Sequence, residues 1–309
     1  MPLKPALSIH PKSILFATDL TPASENGLRH ALALARQYGA TLHLAHVVSS
    51  VGFTLAGPDA IAIADEVALR ELHELEHGLD ASGAFAGIKH DVAVRDGEVW
   101  PQIERLIDED HVDMVVIGTH GRRGLGRLFL GSVAEQILRC AECPVVTVGP
   151  AFNRGTGVEN LHQPRPIVFA TDFKGASLQA LPYAITFARE RNVKLVLLHV
   201  IPSIPLPPDG HRDTADDVIA RRNAAEAESL GRLKVLLHQP SGPLPESEFA
   251  VRFGDPAEEI LKVAAEWRAD AIAMGLHRSL HAQAVSHFRS TIAYEVVCGA
   301  NCAVFTARD

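Results

Sequence analysis

The sequence has few cysteines, no excess of positive charge and no long uncharged apolar stretch. Four cysteines in 309 residues are too few for a disulfide scaffold. The 29 Lys and Arg residues against 37 Asp and Glu give a formal net charge of -8, which excludes a global basic field for nucleic acid or an anionic membrane. No uncharged apolar run approaches the roughly 18 residues of a membrane span, and the opening MPLKP lacks the apolar core of a signal peptide. We therefore expect a cytoplasmic protein that binds neither nucleic acid nor membrane.

The length and composition are those of an ordinary globular protein. Hydrophobic residues make up 47% and charged residues 21% of the chain, which is incompatible with wholesale disorder or a fibrous repeat. At roughly 150 residues per domain, the chain is long enough for two domains, each with its own core.

The sequence contains two copies of one pattern. FATDL at residues 16–20 recurs as FATDF at residues 169–173, which is 153 positions later. Gly118 recurs as Gly275, which is 157 positions later. Matches that keep their order while small insertions accumulate indicate a tandem duplication.

The duplication predicts two domains and a linker. The domains span residues 1–150 and 166–309, which we call the N-terminal half and the C-terminal half. Residues 151–165 form the predicted linker, because this stretch is rich in Gly, Pro, Asn and Gln and lacks apolar periodicity.

Apolar runs alternate with amphipathic segments in the N-terminal half. The expected strands are residues 13–17, 41–48, 88–95, 114–117 and 145–148, and the expected helices are residues 22–39, 65–79, 98–109 and 132–139. Thr21 and Pro22 have the residue types of a helix N-cap and a first helical position. The alternation predicts an α/β fold with a doubly wound parallel sheet in each half, whose ligands bind beyond the carboxyl ends of the strands.

A glycine-rich loop, GTHGRRGLGRLFLGS at residues 118–132, follows the fourth expected strand. Glycines allow positive φ and a close approach of the main chain to a ligand, and the helix that follows offers free N–H groups to phosphate. Arg122, Arg123 and Arg127 add three cations in an otherwise acidic protein. A flexible connection with solvated arginines is the alternative, but the position between a buried strand and a helix favours a phosphate cradle.

The spacing in this loop resembles the signature of the universal stress protein family, G-x2-G-x9-G-[ST]. Gly118, Gly121, Gly131 and Ser132 match it completely. ATD at residues 17–19, AHV at 45–47 and CPVV at 143–146 are also similar to that family. The resemblance covers both halves and implies two tandem Rossmann-like domains that bind adenine nucleotides.

The family pattern, carried over to matching positions, implies a site for ATP in the N-terminal half, often with a divalent cation such as Mg²⁺. The residues that would border adenine and ribose are Ala17, Thr18, Asp19 and Val47. The residues that would surround the phosphates are Gly118, His120, Gly121, Gly131, Ser132 and Val133. Two structural alternatives remain open, because Asp19 and Ser132 are also suitable N-caps of the helices that follow them.

The resemblance implies an ATP-binding regulatory module of the stress response, with a protein partner that the sequence does not identify. Slow ATP hydrolysis assisted by His120 and a nucleotide-free scaffold for a partner are the alternatives. The Walker sequence and the catalytic loops of related α/β enzymes are absent, so no catalytic residue is predicted. His46 and His199 are expected to be hydrogen-bonded core residues.

The loop of the C-terminal half departs from the signature. Arg278 replaces Gly121, and Ser290 with Thr291 replaces Gly131 with Ser132. Side chains at these positions would occupy the space of phosphate oxygens, so we expect a degenerate nucleotide site. Asp172 and Ser177 remain, which leaves the nucleoside end of that site open.

Two groups of metal-ligand residue types lead to no predicted metal site. The three histidines within residues 277–287 have no carboxylate or cysteine among them. Cys140 and Cys143 have a spacing that Cys298 and Cys302 do not keep, so the cysteines are expected to be small buried packing residues.

The resemblance also implies an intrachain pseudo-dimer. We expect residues 145–148 to pair with residues 303–306 around a pseudo-two-fold axis, because an exposed edge strand is best satisfied by another edge. Further homo-oligomerisation remains open.

Overall fold

The structure, a computed structural model, describes residues 10–21, 24–48, 58–119, 130–149, 165–202, 214–238, 243–276 and 291–308. Within these ranges, the strands of both halves belong to one ten-stranded sheet. Nearly all of the predicted linker lies outside the described residues.

The N-terminal half alternates strands and helices, as its periodicity predicts. Its strands are β1 (Ser13–Ala17), β2 (Thr41–Val48), β3 (His90–Asp96), β4 (Met114–Gly118) and β5 (Val145–Val148). Its helices are α1 (Glu25–Tyr38), α2 (Pro58–Ala81), α3 (Val99–Glu109) and α4 (Ser132–Cys140).

The described residues of the C-terminal half repeat this order with one additional short helix, α5 (Gly175–Gln179). Its strands are β6 (Ile167–Ala170), β7 (Leu195–Ile201), β8 (Ser247–Phe253), β9 (Ala271–Leu276) and β10 (Ala303–Arg308). Its helices are α5 (Gly175–Gln179), α6 (Leu181–Glu190), α7 (Ala215–Leu236), α8 (Pro256–Glu266) and α9 (Ile292–Gly299).

The strand order is symmetric about the junction of the halves. It runs β3-β2-β1-β4-β5-β10-β9-β6-β7-β8. Among these described strands, the pairing is parallel within each half and antiparallel only between β5 and β10. The predicted α/β fold with a parallel sheet in each half is therefore confirmed.

Two apolar layers cover the sheet, one on each face. Alternate residues of β1 enter different layers, with Ile14 and Phe16 in one and Leu15 and Ala17 in the other. Each layer contains residues of both halves, so the apolar core continues across the junction. Burial on both faces explains the unbroken apolar run of strands such as β4.

The junction between β5 and β10 has the pairing expected for an intrachain pseudo-dimer. Val146 lies opposite Phe305, and both side chains are buried. The Thr147 hydroxyl donates to the carbonyl of Val304 at 3.2 Å, and the Thr306 hydroxyl donates to the carbonyl of Val145 at 3.3 Å. These reciprocal bonds satisfy buried hydroxyl groups within the β5–β10 junction, which we call the seam.

Helices α1 and α6 also join the halves. The Gln37 side-chain amide donates to the Glu190 carboxylate at 3.3 Å. The rings of Tyr38 and Phe187 lie 6.2 Å apart. Gln37 and Glu190 are 153 positions apart, the spacing of the duplicated FATD motif, so equivalent positions of the two halves meet there.

Helix α1 begins later than the sequence predicts. It starts at Glu25 with Ser24 as its N-cap residue, so the expected cap at Thr21 is wrong. The reason is local, because the backbone N–H and hydroxyl of Thr21 both donate to the Asp19 carboxylate, and Thr21 belongs to the preceding turn. Residues 22–23 lie outside the described ranges.

Two other boundaries also differ from expectation. Helix α2 starts at Pro58, seven residues earlier than predicted, and β3 starts at His90 instead of residue 88. Among the described helices, none is both long and apolar enough to cross a bilayer.

The seam gives a test of the shared core. Val146→Lys would bury an amine opposite Phe305, so we expect a loss of about 3 kcal/mol or more in the free energy of unfolding. Urea denaturation measures this loss. The matched control is Val235→Lys on α7, where the native side chain is 56% exposed and the change should stay within about 0.5 kcal/mol. Equal effects of the two variants, or scattering that shows two freely tumbling halves in the native chain, would contradict the docked arrangement.

Candidate functional site

The predicted nucleoside-binding residues meet at one edge of the N-terminal sheet. Ala17 ends β1, Val47 lies near the end of β2, and Gly118 ends β4. Strand β1 pairs with both β2 and β4, so these carboxyl ends are adjacent. The structure thus brings Ala17, Thr18, Asp19, Val47 and Gly118 together. This is the position at which parallel α/β sheets bind ligands.

The turn after β1 is fixed by hydrogen bonds to Thr18. The Thr18 hydroxyl lies 2.9 Å from the Ser24 hydroxyl and accepts a 3.0 Å bond from the backbone N–H of Leu20. Leu20 has φ of 58°, a left-handed conformation that is unfavourable for a branched side chain. The buried Thr18 hydroxyl stabilises this conformation at the edge of the site.

Asp19 closes the same turn with one carboxylate oxygen. Its Oδ1 accepts the backbone N–H of Thr21 at 3.1 Å and the Thr21 hydroxyl at 2.6 Å. Asp19 is therefore not the cap of the first turn of α1, which was the structural alternative. The hydrogen bonds between described residues use only Oδ1, which leaves Oδ2 of this half-buried carboxylate as an acceptor for a ligand hydroxyl.

His46 connects β2 to this turn. Its Nδ1 lies 2.8 Å from the carbonyl oxygen of Thr18, and a carbonyl only accepts, so Nδ1 carries the hydrogen. His199 makes the same 2.8 Å contact with the carbonyl of Thr171 in the C-terminal half. The predicted hydrogen-bonded role of both histidines is confirmed, although both are partly buried and not fully in the core.

The two described ends of the glycine-rich loop are joined to each other. The backbone N–H of Gly131 donates to the carbonyl of Thr119 at 3.0 Å, and the N–H of Thr119 donates to the carbonyl of Val148 at 3.1 Å. Thr119 is 2% exposed and was not among the predicted site residues. Residues 120–129, which include His120 and Gly121, lie outside the described ranges.

Gly131, not Ser132, is the N-cap of α4, and glycine has no side chain that could cap the helix through a hydrogen bond. The φ of Gly131 is -58°, which every residue type tolerates, so the expected positive φ is not the reason for glycine here. Ser132 is exposed and Val133 is partly buried in the first turn. The N–H groups of that turn are oriented for an anion.

The C-terminal half repeats the turn but uses its carboxylate differently. Asp172 Oδ1 accepts the backbone N–H of Lys174 at 3.0 Å and the Ser177 hydroxyl at 2.7 Å. The Lys174 amine lies 3.7 Å from Oδ2. Both carboxylate oxygens therefore have partners within the chain. The Thr171 hydroxyl contacts the Ser177 hydroxyl, as the Thr18 hydroxyl contacts that of Ser24. The spacing from threonine to serine is the same in both halves, and it is the sequence signal for this turn.

Phe173 takes the place of Leu20 in the C-terminal half. Its φ is 62°, and its ring centroid lies 4.4 Å from that of His199. The Arg232 guanidinium lies 4.0 Å from the same ring. Burial lowers the pKa of His199, and a backbone hydrogen bond to Thr171 acts in the opposite direction. This aromatic group occupies the carboxyl edge of β6 and β7, next to Asp172.

The surviving glycine of the second loop has a packing role. A Cβ on Gly275 would lie 2.2 Å from the backbone carbon of Ala176 and 2.2 Å from the backbone nitrogen of Ser177. Helix α5 therefore requires glycine at the end of β9, whether or not a phosphate binds. Arg278, Ser290 and the three loop histidines lie outside the described residues.

The helix after that loop begins differently from α4. The Thr291 hydroxyl accepts the backbone N–H of Tyr294 at 3.2 Å and caps α9. One N–H group of its first turn is thus satisfied within the chain. The N-cap of the corresponding helix in the N-terminal half is Gly131, which has no side chain to make such a bond.

The cysteines are free thiols with unequal burial. Cys298 and Cys302 are buried as expected, whereas Cys140 and Cys143 are partly exposed, which corrects the expectation for the first pair. Burial raises the pKa of the Cys143 and Cys302 thiols to about 12, so both are protonated at neutral pH. Within the described part of the chain, no three His, Cys, Asp or Glu side chains form a group suited to a metal ion.

Comparison with known proteins defines the class. The universal stress protein family model matches residues 11–149 and again residues 164–308. The chain therefore belongs to the universal stress protein family and is a tandem member of it.

Individual relatives agree with this assignment. A universal stress protein of Mycolicibacterium smegmatis is 29% identical over 232 residues, which cover 72% of this chain and 77% of the relative. Universal stress protein A homolog 1 of Coxiella burnetii is 34% identical over 147 residues, 45% of this chain and 97% of the relative. The crystal structure of a universal stress protein from Archaeoglobus fulgidus shares the fold with a TM-score of 0.68 at 20% identity, covering 97% of this chain and 99% of that one.

The close approach at Gly275 gives a second test. Gly275→Ala should lower the free energy of unfolding by at least about 2 kcal/mol, because backbone atoms of α5 would have to move. Thermal or urea unfolding measures the change. Gly231→Ala within α7 is the matched control, since a Cβ there meets nothing within 4 Å and should stabilise the helix by roughly 0.5–1 kcal/mol. A neutral Gly275→Ala would show that this packing is wrong.

Proposed function

We propose that this tandem universal stress protein is a regulatory module that binds ATP in its N-terminal half. The observation that carries the proposal is the complete signature from Gly118 to Ser132. Its described ends are joined by the bond from Gly131 to Thr119 and lie beside the carboxyl ends of β1, β2 and β4.

The nucleoside would bind against the turn after β1. Asp19 Oδ2 would accept a hydrogen bond from a ribose hydroxyl or from the adenine amine. Val47 offers an apolar surface to the base, together with Ala17 and Thr18. The hydrogen bonds from Thr21 hold the carboxylate in place before a ligand arrives, which lowers the entropic cost of binding.

The phosphates would bind at the start of α4. Gly131 lies directly before the first turn, and Ser132 and Val133 belong to that turn, where backbone N–H groups and the helix dipole favour negative charge. Gly118, His120 and Gly121 complete the set that the family pattern implies. If a Mg²⁺ ion accompanies ATP, the exposed Ser132 hydroxyl is the residue suited to hold it, and the ion would neutralise phosphate charge.

Three contacts support binding in one half only. Asp172 is bonded to Lys174 and Ser177, Phe173 packs against His199 and Arg232, and Thr291 caps α9. Each occupies or covers a group at the carboxyl edge of the C-terminal sheet, whereas the bonds between described residues leave Asp19 Oδ2 unused in the N-terminal half.

The proposal predicts one ATP per chain. At 100 times its dissociation constant, ATP should stabilise the protein by about 2.7 kcal/mol. Gly131→Val should abolish this shift, because its side chain would occupy phosphate space, while unfolding without ATP stays within about 1 kcal/mol of the native value since φ is ordinary. Calorimetric titration and mass spectrometry of the purified protein measure stoichiometry and retained nucleotide. Two ATP per chain, or none, would refute the proposal.

The duplicated aspartates allow a paired comparison. Asp19→Asn keeps an oxygen for the Thr21 bonds but removes the charged acceptor, so the dissociation constant for ATP should rise about tenfold or more. Asp172→Asn is the matched control at the equivalent position and should leave ATP affinity unchanged. Calorimetric titration of both variants measures the difference. A larger loss of ATP affinity from Asp172→Asn than from Asp19→Asn would place the nucleotide in the C-terminal half and refute the proposal.

A further inference from the structure

Side chains of the C-terminal half hold α4 of the N-terminal half at both ends. At its start, the backbone N–H of Leu130 donates a hydrogen bond to the hydroxyl of Tyr294 on α9. At its end, the Arg308 guanidinium of β10 donates to the carbonyl of Leu138. The helix that opens the proposed phosphate site is thus fixed by residues that lie outside its own half.

The contact at the start of α4 is buried. Tyr294 is 7% exposed, Leu130 is 6% exposed, and both belong to the apolar layer that crosses the junction. Glu135 on the first turn of α4 is 4% exposed, and its charge contributes to a raised pKa of Tyr294, together with Cys298 and with burial as the largest cause. Tyr294 is therefore a neutral phenol at physiological pH and can accept the Leu130 N–H.

The residues that hold α4 differ in type from those at the aligned positions of the N-terminal half. When the halves are aligned through Cys143 and Cys302, Glu135 stands at the position of Tyr294, and Gly149 stands at the position of Arg308. Gly149 has no side chain that could hold α9, and α9 is capped by its own Thr291. A phenol and a guanidinium of the C-terminal half thus stand where the N-terminal half has a glutamate and a glycine.

The position of Tyr294 connects it to the phosphate end of the site. Leu130 directly precedes Gly131, whose N–H is bonded to Thr119 at the end of β4. We propose that Tyr294 is a positioning residue, which fixes Leu130 and thereby orients the first turn of α4 toward the nucleotide phosphates. This inference rests on the ATP site proposed above, and it assigns the C-terminal half a direct part in binding.

The test removes one hydroxyl in the full chain. Tyr294→Phe should raise the dissociation constant for ATP about three- to tenfold, while that for adenosine changes less than about twofold, because only the phosphate end is affected. Calorimetric titration with the two ligands measures this split. In the ligand-free protein, hydrogen exchange at the Leu130 to Val133 amides should become faster.

Tyr183→Phe is the matched control. Tyr183 also joins the halves, since its ring lies 4.7 Å from that of Phe305, but it packs on the opposite apolar layer. This variant should change neither ATP affinity nor exchange at residues 130–133. An equal loss of ATP and adenosine affinity in Tyr294→Phe, or unchanged exchange at these amides, would overturn the positioning role. If the native chain binds no ATP, the proposed function fails separately, and the exchange measurement alone decides whether Tyr294 holds α4.

Discussion

The antiparallel pairing of β5 with β10 is the constraint on which the rest of the architecture depends. Each strand ends the parallel sheet of its own half, and alone it would expose a row of backbone N–H and C=O groups. The pairing satisfies these groups and continues both apolar layers, since Val146 and Phe305 lie in one layer and Val145 and Val304 lie in the other. Neither half has a complete core without its partner.

The two halves share a backbone turn but differ in what the side chains around it do. Leu20 and Phe173 have nearly the same left-handed φ, 58° and 62°, and the threonine and serine contacts agree as well. The difference lies in the carboxylates. The hydrogen bonds to both aspartates use Oδ1, but Oδ2 of Asp172 also has the Lys174 amine at 3.7 Å, whereas the bonds between described residues leave Oδ2 of Asp19 unused. The duplicated backbone turn is therefore kept while the side chains around it differ between the halves.

Periodicity predicted the elements well, because strands buried on both faces leave unbroken apolar runs such as β4. The start of α1 differs from the prediction because the Thr21 hydroxyl and N–H donate to Asp19. Capping rules based on residue type do not take such a competing hydrogen bond into account. The sequence also does not indicate why residue 275 is a glycine, since the cause is close packing against α5 and not a loop conformation. The bond from Arg308 to Leu138 joins residues 170 positions apart, and no local pattern marks such a pair.

Pairing with β5 and phosphate binding depend on different residues of the C-terminal half. Arg278 replaces a signature glycine without changing β10, so the phosphate chemistry can disappear while the edge of β5 stays covered. Removal of the whole half would have a different effect. It would expose the edge of β5 and leave the Leu130 N–H and the Leu138 carbonyl without their bonds to Tyr294 and Arg308. Because these two groups lie near the two ends of the helix whose first turn would face the phosphates, we expect the proposed site to require the complete chain and not the N-terminal half alone.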